Sequence, residues 1–256
     1  MSLNDGCAAA LILALACGCG PDLGPGADYY FPAAELTGGL VYAYEGAGPT
    51  PAPPHYWYYR GVAAGDSLVL AATYYDHDFE PRQFVRERLA AAGALQRELR
   101  LFTPTDSASL QVSAEVLAPA LFSFLAPEPE RVLVNAVRFA DVPEAPAGTS
   151  AVLPEGAPAA PTYTVTRNRS YLRDTLVAAL GAPRRAQLWL VRERSEQDSA
   201  GVLAIDSRAV ELYAEGVGLV YRERVFPDGT VEVHRLRERF PMDTLEARAA
   251  RAAGRR

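Results

Sequence analysis

From Leu40 onward, apolar and polar positions alternate with a period of two or gather in short apolar runs closed by turn residues. "GLVYAYE" (39–45), "HYWYYRG" (55–61) and "DSLVLAATYYD" (66–76) lead the series, with Gly65-Asp66 as a turn between the last two. "LQRELRLFTP" (95–104), "SLQVSAEVL" (109–117), "RVLVNAVRF" (131–139), "PTYTVTR" (161–167) and "AQLWLVRER" (186–194) continue it. Short runs rich in β-branched and aromatic residues at this spacing predict an antiparallel arrangement of strands. The clearest unit lies at 209–240. There Leu219, Tyr221, Glu223 and Val225 alternate with Val220, Arg222, Arg224 and Phe226, and Pro227-Asp228-Gly229 makes the turn of a hairpin.

Two stretches fit both periods. "EPRQFVRERLAAAG" (80–93) and "SYLRDTLVAALG" (170–181) have apolar residues at helical spacing, yet each runs closely into a convincing strand, which favours strand for both. Residues 141–162, "DVPEAPAGTSAVLPEGAPAAPT", are rich in Pro, Ala and Gly and read as a long loop. The end, 241–256, has helix-forming composition with little apolar face and reads as a helical or frayed tail. The expected fold is therefore all-β. It is a curved, mostly antiparallel sheet or half-barrel over 38–240, with a short C-terminal helix or tail.

The opening differs from everything after it. The run from Cys7 to Ala16 is apolar but far short of the roughly twenty residues a membrane-spanning helix needs. Its length matches the hydrophobic region of a secretory signal. "LALAC" (13–17) places small residues before Cys17 and resembles a bacterial lipoprotein signal. That resemblance implies a signal peptide at 1–16, removed so that Cys17 becomes the lipidated N-terminus, with Cys19 as the alternative. The sequence departs from the usual pattern in having Ala14 three places before the cysteine and no positive charge in residues 1–6. The Gly/Pro-rich stretch that follows reads as a flexible tether, so 17–37 is expected to link the lipid to the β domain.

Composition narrows the chemistry. All 25 basic residues are arginine, and the net charge is -6. Without lysine there is no Schiff-base chemistry and no Walker-type phosphate loop. A mildly acidic chain gains little from phosphate attraction, so nucleic acid is not an expected partner. Cys7, Cys17 and Cys19 are the only cysteines, which leaves the body without a disulfide or a thiolate metal site. No cofactor is expected.

Two segments of the body carry a further resemblance. "YYFPAAELTGGLVYAYE" (29–45) and "YAEGVGLVYRERVFPDGTVEVHRL" (213–236) are similar to bacterial envelope lipoproteins of unknown biochemical role. Those proteins open with a Tyr-Phe-Pro stretch before a Tyr-rich strand and close with a Gly-Val-Gly-Leu-Val hairpin. The resemblance implies a curved antiparallel sheet anchored in the cell envelope, with the outer membrane as the expected location.

Candidate chemistry is sparse. "TYYDHDFE" (73–80) gathers Asp76, His77, Asp78 and Glu80. Asp76 and Asp78 share one face of a strand and His77 takes the other, so a metal or general-base site there requires a turn. An acidic turn between strands is the plainer reading. In "HYWYY", Tyr56, Trp57 and Tyr58 are candidates to face a ligand, although strand aromatics more often fill a core. Gly216-Val217-Gly218 lacks the third glycine and helix of a dinucleotide motif and reads as a bend. Arg222, Arg224, Arg235, Arg237 and Arg239 are expected to pair with Glu223, Glu232 and Glu238 on a solvated face. The leading expectation is a lipid-anchored, non-enzymatic binding or assembly module, partnered by the membrane through its lipid and by an envelope protein. A carrier or sensor of an apolar ligand, and a hydrolase using Asp76, His77 and Asp78, are the alternatives.

Overall fold

A computed structural model describes residues 23–48, 52–65, 67–104, 109–140, 161–199 and 201–254. The signal region, all three cysteines and nearly all of the 141–162 loop lie outside the described residues.

The described residues form β1 (Leu40–Ala47), β2 (His55–Ala64), β3 (Ser67–Tyr75), β4 (Pro81–Ala90), β5 (Gly93–Pro104) and β6 (Ser109–Ser123). They continue as β7 (Val132–Ala140), β8 (Thr162–Ala179), β9 (Ala182–Ser199), β10 (Gly201–Ala214), β11 (Gly218–Val225) and β12 (Val231–Phe240). Each strand pairs antiparallel with the next, and β12 returns to β1. The all-β, antiparallel expectation holds, and the sheet closes completely. Val41 on β1 is opposite Tyr58 on one side and Phe240 on the other. Closure satisfies the ladder groups that an open curved sheet would leave on two edges. Both ambiguous stretches are strands, in β4 and β8. Register shifts, among them Ala43/Tyr44 and Leu212/Tyr213, bend the sheet where the curvature is needed.

Residues 23–37, the described part of the expected tether, are folded against the barrel. Residues 25–38 carry two short 3-10 turns, Pro25–Tyr29 and Leu36–Gly38, folded into one end of the barrel. Tyr29, Tyr30, Phe31, Ala33 and Leu36 are all buried there, among Tyr42, Tyr59, Phe122, Phe124 and Tyr213. The Gly26 N–H donates to the Phe124 carbonyl at 2.8 Å, and the Gly216 N–H donates to the Asp28 carbonyl at 2.7 Å. Phe31 stacks on Tyr59 with ring centroids 4.1 Å apart. Two glycines make room for this plug. Gly61 on β2 lies so close to the Ala33 carbonyl that a Cβ would overlap it, and Gly218, at φ +97°, faces the Phe31 ring. The Gly/Pro content of the segment hid an apolar anchor, because 3-10 turns have neither of the two periods that betray strands and α-helices.

After β12 the chain forms α1 (Met242–Ala253), which lies on the outside of the barrel. Leu245 is buried against Val41, Ala43, Tyr56 and Phe240. Arg248 covers the Phe240 ring at 4.2 Å and donates to Glu238 at 2.9 Å. Elsewhere the outer face carries exposed charges along the strands. Arg86 pairs with Glu98, Arg194 with Glu196 and Asp206, and Arg237 with Glu45.

Candidate functional site

The plug closes one end of the barrel and a cavity of about 400 Å³ occupies the other. Its mouth is formed by Pro53 and Pro54 before β2, by Asp76 and His77 after β3, and by Glu232 and His234 on β12. The strand alternation sends every second side chain inward, and the inward set differs around the wall.

One wall is aromatic and belongs to β1, β2 and β3. Tyr44 stacks on His55 at 5.0 Å, His55 meets Tyr74 at 5.4 Å, Tyr74 meets Trp57 at 5.3 Å, and Trp57 stacks on Tyr59 at 5.8 Å. His234 closes the strip edge-on to His55 at 4.4 Å. Burial, the nearby His234 and Arg222 hold His55 neutral, its pKa lowered to about 3. His234 is lowered as well, again mainly by burial.

The other wall is ionic and belongs to β8, β9, β10 and β11. Arg169 is buried, and its Nε donates to Glu211 Oε2 at 3.2 Å. The Tyr213 hydroxyl donates to the same oxygen at 3.0 Å, and Arg222 Nε faces Glu211 Oε1 at 3.6 Å. Burial alone would raise the Glu211 pKa, but Arg169 and Arg222 outweigh it and hold the carboxyl below its usual range. Nearer the mouth, Glu193 accepts from Arg167 and Arg224, and Arg224 Nε also donates to Ser207 Oγ at 3.1 Å. Here too the arginines outweigh burial, and the Glu193 pKa falls to about 2. Across the lumen, on β4, Glu87 behaves oppositely. It accepts the Tyr30 hydroxyl at 2.7 Å, and burial lifts its pKa to about 7 against the weaker pull of that bond and of Arg169. Two guanidinium nitrogens of this wall, Arg169 Nη1 and Arg222 Nε, are buried without a hydrogen-bond partner. Such groups are uncommon in folded proteins, because each forfeits a hydrogen bond it had in water.

The structure sorts the residues that stood out in the sequence. Of Tyr56, Trp57 and Tyr58, only Trp57 faces the lumen. Tyr56 and Tyr58 point outward, packed with the residues beneath α1. A strand cannot aim three consecutive residues one way, so the inward partners of Trp57 are His55 and Tyr59. Asp76 is a turn residue. Its Oδ1 accepts the Asp78 and Glu80 backbone N–H groups at 2.9 and 3.0 Å, and its Oδ2 pairs with Arg82 at 2.6 Å. His77 Nε2 lies 3.3 Å from Asp78 Oδ2 at an exposed position. Among the described residues no group of three or more His, Cys, Asp or Glu side chains is arranged to hold a metal ion. Arg222 and Arg224 leave the expected solvated face and turn inward, while Arg237 stays outside on Glu45. Cys17 and Cys19 lie outside the described residues.

No protein-family model matches the chain, and no curated protein matches it significantly. Two solved structures share its fold. One, from Parabacteroides distasonis ATCC 8503, is described as a "putative lipoprotein"; it has 10% sequence identity and a TM-score of 0.50, over 84% of this chain and 97% of that one. The other, from Bacteroides fragilis NCTC 9343, is described as a "putative exported protein with YmcC-like fold". It has 12% identity and a TM-score of 0.51, over 82% of this chain and 98% of that one.

Proposed function

We propose that the chain is a lipid-anchored protein of the bacterial cell envelope, not an enzyme, and that it works as a binding module through its barrel lumen. The observation that carries the binding half is the 400 Å³ cavity with an aromatic wall facing an ionic one. That volume falls within the roughly 300–1,000 Å³ typical of small-molecule pockets. The anchoring half rests on the resemblance of 13–17 to a lipoprotein signal, and the descriptions of the two structures of like fold support it. The ionic wall favours a ligand with polar groups over a wholly apolar one.

The two halves fit geometrically. Leu23, the first described residue, lies at the plugged end. Five residues lie between it and Cys17, and the six steps, at about 3.5 Å each, reach at most about 20 Å. A lipid on Cys17 therefore sets the plugged end toward the membrane and the mouth away from it. Exposed ion pairs such as Arg194–Asp206 and Arg237–Glu45 interrupt the outer face, where a membrane-spanning barrel carries a continuous apolar band. On this reading the barrel stands in water.

The test is expression of the full chain in a bacterial host, followed by detergent partitioning and mass analysis of the mature N-terminus. Acyl groups on Cys17, and an unprocessed precursor for Cys17→Ala, are expected. A mature protein that starts elsewhere and carries no lipid ends the anchoring reading.

A further inference from the structure

The two walls of the lumen are chemically distinct and face one another. On β8 to β11, among the described residues, Arg167, Arg169, Arg222 and Arg224 stand against the ionised carboxylates Glu193 and Glu211. Glu87, opposite, stays protonated up to about pH 7 and does not redress that excess. Glu232 and Asp76 add negative charge at the mouth, where Asp76 is neutralised by Arg82. The pairing within the wall is also incomplete. Arg169, only 8% exposed, lines the cavity with Nη1 unpartnered, and Arg222, also on the lining, makes no hydrogen bond through Nε, which has Glu211 Oε1 only at ion-pair distance, 3.6 Å. A guanidinium has five donors and no acceptor, so only a hydrogen-bond acceptor completes it, and an anion does so best. The facing strip offers flat ring faces on which a planar or alicyclic body can lie.

We propose that the lumen binds a small organic anion, its carboxylate or phosphate head held by Arg169 and Arg222 and its body stacked on Trp57 and Tyr74. This rests on the reading of the lumen as the binding site and names its ligand class. Arg222 is placed for the role. It lies opposite His234 in the β11–β12 ladder, and His234 meets His55 at 4.4 Å, so Arg222 sits where the ionic wall joins the aromatic one. A neutral ligand of the same shape would leave the excess cationic charge unanswered.

The experiment uses the full chain in detergent and three probes of similar shape: phenylacetate, phenyl phosphate and neutral phenylacetamide. Binding is read by tryptophan fluorescence and by thermal shift, up to about 10 mM, a range that still registers a millimolar complex. Saturable binding of at least one anion is expected, with the amide at least about tenfold weaker, the scale of one charge-assisted hydrogen bond. Arg222→Gln should weaken the anion by about tenfold. It leaves Glu211 paired with Arg169 and Tyr213, so the fold survives where Arg169→Gln risks it. Trp57→Leu should weaken all probes that bind. Equal binding of amide and anion, or an anion indifferent to Arg222→Gln, overturns the proposal but leaves a binding lumen in place. No binding of any of the three overturns both.

Discussion

Glu87→Gln offers a direct test of the lumen's electrostatics. Glu87 is buried on β4, 7% exposed, with the Tyr30 hydroxyl on its Oε2. Its pKa rises from 4.5 to about 7 in the folded protein, because burial penalises the carboxylate more than Tyr30 and Arg169 stabilise it. A raised carboxyl pKa means that the folded state holds its proton more tightly than the unfolded state. Below about pH 4.5 both states are protonated and the contribution of Glu87 is fully present. As the pH rises toward 7 the unfolded chain ionises first, and stability is lost. Each tenfold difference in proton affinity is worth about 1.4 kcal/mol, so the loss comes to about 3 kcal/mol and is complete near pH 7. Glutamine keeps a carbonyl oxygen for Tyr30 and cannot ionise, so the variant escapes this loss.

The wild-type stability curve alone does not isolate Glu87. His55, with its pKa lowered to about 3, adds stability as the pH rises toward 6.5, in the opposite direction. That contribution is common to both proteins and cancels in their difference. The assay is urea denaturation of wild type and Glu87→Gln at several values between about pH 4.5 and pH 8. The variant should be nearly as stable as wild type at the acid end and gain about 3 kcal/mol over it by pH 7. A difference that stays flat across that range refutes the raised pKa and with it the charge count of the lumen.

Leu245→Ala should cost about 2–4 kcal/mol in denaturant unfolding, since the side chain is 3% exposed between α1 and the outer face of β1 and β12. A loss below 1 kcal/mol would mean that α1 contributes little to the barrel. Gly61→Ala, whose Cβ would overlap the Ala33 carbonyl, should displace the plug, and limited proteolysis should then cut within residues 23–38. Protection equal to wild type would show that the plug does not depend on that close approach.

The architecture was legible because it rests on a local rule. Strands whose neighbours pair antiparallel keep the period of two over their whole length, and β2, β3, β9, β11 and β12 display it plainly. Even β4 and β8, whose apolar residues also suit a helix, betrayed themselves by running into another strand after a short turn. Closure was not legible. Whether a curved sheet stops as a half-barrel or meets itself depends on the pairing of β1 with β12, and Val41 and Phe240 lie almost two hundred residues apart. The plug was missed for a related reason: Tyr29, Tyr30 and Phe31 are buried by distant strands, and nothing in their own neighbourhood repeats.

The site was hidden by the same alternation that revealed the fold. Alternation divides a strand into two faces but does not say which is inside, and the usual guide is that the apolar face turns inward. In this barrel the guide fails on β11, where Arg222 and Arg224 point into the lumen and Tyr221 and Glu223 point out, joined by a 2.6 Å hydrogen bond. The inversion is tolerable only because β10 and β9 supply Glu211 and Glu193 at the matching level, with Glu211 opposite Arg222 in the ladder. A buried charge requires its partner, so the two arginines and the two glutamates are one unit spread over three strands. Read singly, each is a common surface residue. Read in the closed ladder, with Arg167 and Arg169 of β8 beside them, they form a wall with more guanidinium than carboxylate, and that excess is what the proposed anion answers.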